Sequence, residues 1–105
     1  MEIIETRREN SVRLDLSGRL DANTSEVLDK EVKKWLPIVA VKELVLDLKK
    51  VEYISSAAIR VLLWVQKNKR EEQEFIILNP SEFCTQVFQI TGADIFLHIE
   101  HVTEK

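Results

Sequence analysis

Residues 44–65 read LVLDLKKVEYISSAAIRVLLWV, and the apolar period changes partway along them. Leu44, Val45, Leu46 and Leu48 form a nearly continuous apolar run interrupted only by Asp47. That pattern predicts a central strand covered on both faces, as in a parallel sheet. From Ala57 to Lys67 the period becomes helical, with Ala58, Val61, Leu62 and Val65 on one stripe. Ser55 and Ser56 stand at the changeover. The KKVEYI segment carries the chain from the strand into a helix that begins at one of these two serines.

Upstream, residues 2–6 and 11–17 are short, partly alternating runs. Val12, Leu14 and Leu16 share one face and Arg13, Asp15 and Ser17 the other, which is the period of a strand. The polar RREN segment between the runs predicts a hairpin turn, and Gly18 is expected to break the second strand. Asn23-Thr24-Ser25-Glu26 has the form of a capping box with Asn23 as N-cap. Val27, Leu28, Val32, Trp35 and Leu36 follow at helical spacing, and Pro37 stops the helix. Downstream, Phe75-Ile76-Ile77-Leu78 predicts a strand. Asn79-Pro80-Ser81-Glu82 repeats the capping logic with proline at the first helical position. Val87, Phe88 and Ile90 continue that helix, Gly92 ends it, and residues 95–101 give a last short strand. The order β-β-α-β-α-β-α-β predicts an α/β fold: a mixed, mainly parallel sheet with an N-terminal β-hairpin and helices following the strands. A ferredoxin-like sandwich fits three successive strand–helix units less well.

At 105 residues, with no linker or repeat, residues 1–105 are expected to form a single domain. The formal charge of −3 leaves no basic excess for phosphate backbones, so direct nucleic-acid binding is not expected. Cys84 is the only cysteine; it excludes an internal disulfide and, within an apolar helical pattern, predicts a buried structural thiol. The charged N-terminus does not read as a signal peptide, and eighteen apolar residues never run together. A cytoplasmic protein without a membrane partner is expected.

In an open α/β sheet, ligands collect beyond the carboxyl ends of the parallel strands. The strand over 11–17 leads to Asp21, Ala22 and Asn23, and the strand over 44–48 leads to Ser55 and Ser56. If these strands are parallel, Asp21 and Ser56 emerge on one rim. Either serine serves as a helix cap, and a pair is more than a cap requires. If Ser55 caps, the hydroxyl of Ser56 faces solvent at the positive end of the helix, where a phosphate is well accommodated. Ser56, Arg60, Trp64 and Lys67 share one helix face. Trp64 is there either as an exposed binding residue beside Arg60, or folded onto apolar neighbours with Arg60 stacked upon it. Other chemistry lacks support. The two glycines, Gly18 and Gly92, make no phosphate loop, His98 and His101 fall on opposite faces of a strand, and Asp47 is read as a carboxylate bonded to nearby backbone. No catalytic residue, cofactor or metal is predicted.

LSGRLDANTSEVL, LVLDLKKVEYISSAAIRVLL and the run from NPSEF to FQITG together resemble the STAS domain family, whose best-studied members are bacterial anti-sigma factor antagonists. The resemblance spans essentially the whole chain. Its most specific parts are the L-x-G-x-L-D and D-L-x-x-V-x-x-I-x-S segments. It implies partner switching, with no enzymatic activity of the chain's own. The unphosphorylated antagonist binds an anti-sigma factor, usually a GHKL-type serine kinase, which phosphorylates it and ends the interaction; a serine phosphatase resets it. The motif puts the phosphorylated serine at Ser56 and the docking surface at Asp21, Asn23, Ser55, Ser56, Ala57, Arg60 and Trp64. The family's usual aspartate, serine, small residue and glycine are here Ser55, Ser56, Ala57 and Ala58, and alanine for glycine is expected to add a methyl where a partner backbone approaches. A constitutive STAS scaffold in a larger regulatory or transport assembly would use the same face without a phosphate. A nucleotide-binding domain would need a phosphate cradle that the chain does not offer.

Overall fold

A computed structural model describes residues 1–103; the last two residues of the expected single domain lie outside the described residues. Five strands form one sheet in the order of the chain: β1 (Glu2–Arg8), β2 (Ser11–Leu20), β3 (Glu43–Ile54), β4 (Glu74–Leu78) and β5 (His98–Glu100). β1 and β2 are antiparallel across a turn at Glu9 and Asn10, and every other neighbouring pair is parallel. The helices α1 (Ala22–Lys33), α2 (Ser56–Asn68) and α3 (Glu82–Thr91) are the crossovers, and a 3-10 turn (Ala93–Ile95) follows α3. The expected mixed, mainly parallel α/β sheet with an N-terminal hairpin is the fold observed.

Parallel neighbours joined in chain order by crossovers of one hand place every helix on the same face. Leu14, Leu16, Leu44, Leu46, Phe75 and Ile77 point to that face and meet Leu28 and Val32 of α1, Leu62 and Val65 of α2, and Phe88 of α3. Cys84 is buried in the same core, as expected, and burial raises its thiol pKa. Residues 44–48 are all buried, as a strand covered on both faces should be, although the helices cover only one of the two faces. The opposite face carries a small group of Val45, Ile76 and Leu78 and, beside it, a buried Asp47. Asp47 accepts from Arg13 Nη2 at 2.7 Å and from the Lys49 amide at 2.9 Å, so the carboxylate expected to hold backbone also holds a cation from β2.

Gly18 does not end its strand. β3 gains one residue on β2 between the pairs Asp15–Asp47 and Ser17–Lys50, and another between Gly18–Val51 and Arg19–Tyr53. Gly18 supplies a positive φ, +95°, in this doubly bulged stretch, a conformation in which a side chain would be strained. Pairing resumes, and Leu20 ends opposite Ile54.

α1 is capped by Asp21 rather than by Asn23. The carboxylate accepts from the amides of Asn23 (3.1 Å) and Thr24 (3.0 Å), and Thr24 Oγ1 accepts from the Asp21 amide. The helix stops at Lys33, short of Pro37, and Trp35 and Leu36 pack from the turns that follow. The loop over 36–41 is tied down by Arg70 and Gln73, which donate to the carbonyls of Leu36 and Val41. α3 is capped two residues later than predicted, by Ser81. Asn79 is instead at positive φ, where its Oδ1 accepts from the Val102 amide. Gly92 ends α3 in the left-handed conformation, as expected.

Candidate functional site at the carboxyl rim of the sheet

The parallel pairing of Leu20 with Ile54 sets the site. The Ser55 amide donates to the Leu20 carbonyl at 2.8 Å, so the chain leaves β2 and β3 side by side. Asp21 and Ser55 each begin a helix one residue later, and the two helices lie against each other. The expectation that Asp21 and Ser56 share a rim holds.

The two serines divide in the structure as their chemistry suggests. Ser55 is the N-cap of α2: its backbone is extended (φ −92°, ψ 166°) and its Oγ accepts from the Ala58 amide at 3.2 Å. Ser56 is the first helical residue and is exposed, with its hydroxyl in no recorded hydrogen bond among the described residues. With the Ala58 amide capped and the Ile59 amide bound to the Ser55 carbonyl, the amides of Ser56 and Ala57 have no intrahelical acceptor. An anion attached to Ser56 thus lies beside two free donors and the positive end of the helix dipole.

Asp21 supplies a fixed negative charge on the same rim. Its pKa is held below the usual aspartate value, first by the hydrogen bond from the Thr24 amide and then by the Thr24 hydroxyl, with a lesser contribution from the charge of Arg19. Asn23 is exposed in the first turn of α1. Ala58 is fully buried in the core, so its methyl points inward. The expectation that it would meet a partner backbone is overturned, because the position one turn into α2 faces the sheet.

Arg60 and Trp64 line a groove of about 290 Å³ between α1 and α2, together with Glu26, Asp29 and Lys33 of α1 and Ala57 and Val61 of α2. Trp64 is 42% exposed. The cation over its ring is Lys33, 4.5 Å from the centroid, and not Arg60 as the stacked alternative had it. Lys33 also bonds Asp29 at 3.0 Å, so the tryptophan is anchored from the neighbouring helix, a contact that residue spacing within α2 does not report.

Three further residues join the rim without having been predicted. Arg19 sits over the Tyr53 ring at 4.3 Å, and Tyr53 meets Phe83 of α3 at a centroid distance of 5.6 Å. Arg19 and Tyr53 occupy variable positions within the two motifs, two residues before Asp21 and Ser55, which was a usable signal. Only the Arg19–Tyr53 register joins them, and only the packing of α3 brings Phe83. Away from the rim, His98 pairs with Glu100 at 2.7 Å. Among the described residues no three His, Cys, Asp or Glu side chains are grouped to hold a metal, and no helix is long and apolar enough to cross a membrane.

The sequence profile of the family described as "Mlab, STAS domain" matches residues 4–99. Among curated proteins, the chain is 33% identical over 78 residues to BtrV of Bordetella bronchiseptica, a candidate anti-sigma factor antagonist; the match covers 73% of this chain and 66% of that one. Among solved structures, an anti-sigma factor antagonist from Mycobacterium paratuberculosis superposes with a TM-score of 0.84 at 18% identity, over 93% of this chain and 83% of that one. The anti-sigma factor antagonist SpoIIAA of Bacillus, in its unphosphorylated form, gives 0.79 at 20% identity over 98% and 90%. With the profile spanning nearly all of the sheet and all three helices, the chain belongs to the STAS domain family.

Proposed function

We propose that the protein is a cytoplasmic anti-sigma factor antagonist, which binds an anti-sigma factor serine kinase of the GHKL type while Ser56 is unmodified and lets go when Ser56 is phosphorylated. A serine phosphatase then restores binding. The observation that carries this reading is the division of the serine pair: Ser55 is consumed as the cap, which leaves Ser56 exposed on the rim beside Asp21. The names of BtrV and SpoIIAA support the antagonist role, and SpoIIAA has been solved in both unphosphorylated and phosphorylated forms. The docking surface comprises Asp21, Asn23, Ser55, Ser56, Ala57, Arg60 and Trp64, and the chain binds rather than catalyses.

The mechanism is electrostatic. A phosphate adds about −1.5 to −2 charges at pH 7. On Ser56 it joins the ionised Asp21 on a surface that docking would desolvate, where like-charge juxtaposition costs several kcal/mol. Each ~1.4 kcal/mol is tenfold in affinity, so even half of that cost switches binding off. The free amides of Ser56 and Ala57 let the folded domain carry the same phosphate without rearrangement.

Titration calorimetry against the GHKL-type anti-sigma factor of the same genome tests the reading. Ser56→Ala should bind like wild type and resist release by ATP, whereas Ser56→Asp should bind at least about tenfold more weakly. Equal affinity of Ser56→Asp and wild type would sink the charge mechanism. The groove ending at Trp64, two helical turns beyond Ser56, favours one second reading, a constitutive STAS scaffold that docks through that groove whatever the state of the serine. It requires the Trp64 contact and is indifferent to Ser56→Asp.

A further inference from the structure

Arg60 stands four residues beyond Ser56 on α2, and both side chains are exposed. At that spacing on a helix the two β-carbons lie about 5–6 Å apart. The cations of the groove differ in their commitments. Lys33 is held twice, by Asp29 and by the Trp64 ring, while Arg60 makes no ion pair among the described residues. Arg60 nevertheless lines the groove opposite Glu26 and Asp29. It is thus a long, uncommitted guanidinium, one helical turn from the modified position.

We propose that Arg60 receives the phosphate on Ser56, so that phosphorylation draws this cation out of the α1–α2 groove. The inference rests on Ser56 being the phosphorylated residue. A guanidinium presents paired N–H donors that match two phosphate oxygens, which a lysine cannot do. The other charged groups around the rim do not compete for that role. Arg19 is stacked on Tyr53, Lys33 is anchored, and Asp21, Glu26, Asp29 and Glu52 are anionic and favour pairing of the phosphate with the nearest cation. The switch then has two parts. An anion is added to the rim, and a cation that an acidic group of the partner would meet in the groove is withdrawn. Trp64 and Lys33 stay in place, so the groove loses its uncommitted cation without losing its apolar floor.

The test uses the full chain with phosphoserine incorporated during translation at position 56, so that no kinase is needed. Phosphorus NMR follows the second ionisation of the phosphate. Arg60→Gln should raise its midpoint by about 0.3 pH unit relative to the otherwise identical wild-type phosphoprotein, as expected for one i,i+4 ion pair strengthened by one charge. Arg60→Lys should raise it by less, and the difference should shrink in ~1 M salt, where the screening length is about 3 Å. Circular dichroism should show the exposed-site variants folded. The same midpoint in wild type and Arg60→Gln overturns the assignment. Absence of phosphate from Ser56 in cells would instead overturn the reading on which it rests, leaving the measured contact standing.

Discussion

If the two serines have separable jobs, removing each hydroxyl must produce a different loss. Ser55→Ala removes the acceptor for the Ala58 amide, which is otherwise bonded at 3.2 Å, and leaves that donor partly buried at the head of α2. Loss of a serine N-cap costs about 1 kcal/mol. With a urea slope of about 1–3 kcal/mol per molar for a small domain, the midpoint should fall by roughly 0.5 M. The melting temperature should fall by about 4 °C or more. Ser56→Ala removes an exposed hydroxyl that bonds nothing recorded in the fold, so its effect should stay within about 0.5 kcal/mol. Urea unfolding followed by tryptophan fluorescence reads both, because Trp35 is buried in the folded chain. Equal stabilities for Ser55→Ala and wild type, or an equal loss in Ser56→Ala, would refute the division.

Three more outcomes follow from named contacts. Because the folded-state pKa of Asp21 is depressed, the stability it contributes is present above the unfolded value near 3.8 and is lost as pH falls through the folded pKa. The gap in urea midpoint between wild type and Asp21→Ala should therefore be widest near pH 7 and should narrow as the pH is lowered below 3.8. Arg13→Ala leaves the Asp47 carboxylate, 5% exposed, with the Lys49 amide as its remaining recorded donor. Breaking a fully buried pair costs about 3–5 kcal/mol, and the partly exposed Arg13 lowers the expected loss to about 2 kcal/mol in the same unfolding assay. Trp64→Ala should weaken partner binding at least about tenfold by calorimetry while shifting stability by less than about 1 kcal/mol, since the ring is half exposed and faces the groove.

The strands and helices were legible because their periods are clean: the alternation over 11–17 and the helical stripe of 58, 62 and 65 each face the core as predicted. The caps were less legible. Asp21 and Asn23 are equally good N-cap residues by type. What chose between them was the continuation of β2 through Gly18 to a pair with Ile54, a tertiary fact that delivers Asp21 at the strand's end. Asn79 was misread for the same reason, because the β4–β5 edge claims its side chain. Ala58 carried two readings, a place on the apolar stripe and a motif departure facing a partner, and its burial bears out the first. Ser56 needed only topology, whereas the Lys33–Trp64 contact and the Arg19–Tyr53–Phe83 strip join residues from different elements that no local spacing relates.

The central claim is that Ser56, and not its neighbour, carries the switch. Phosphopeptide mapping of residues 53–60, on protein recovered from its own cells with and without phosphatase treatment, tests this most directly. The account predicts phosphate on Ser56 that the phosphatase removes, with the Ser55 hydroxyl unmodified because it is held by the helix cap. Phosphate on Ser55, or none on either serine while the partner remains bound, would contradict it.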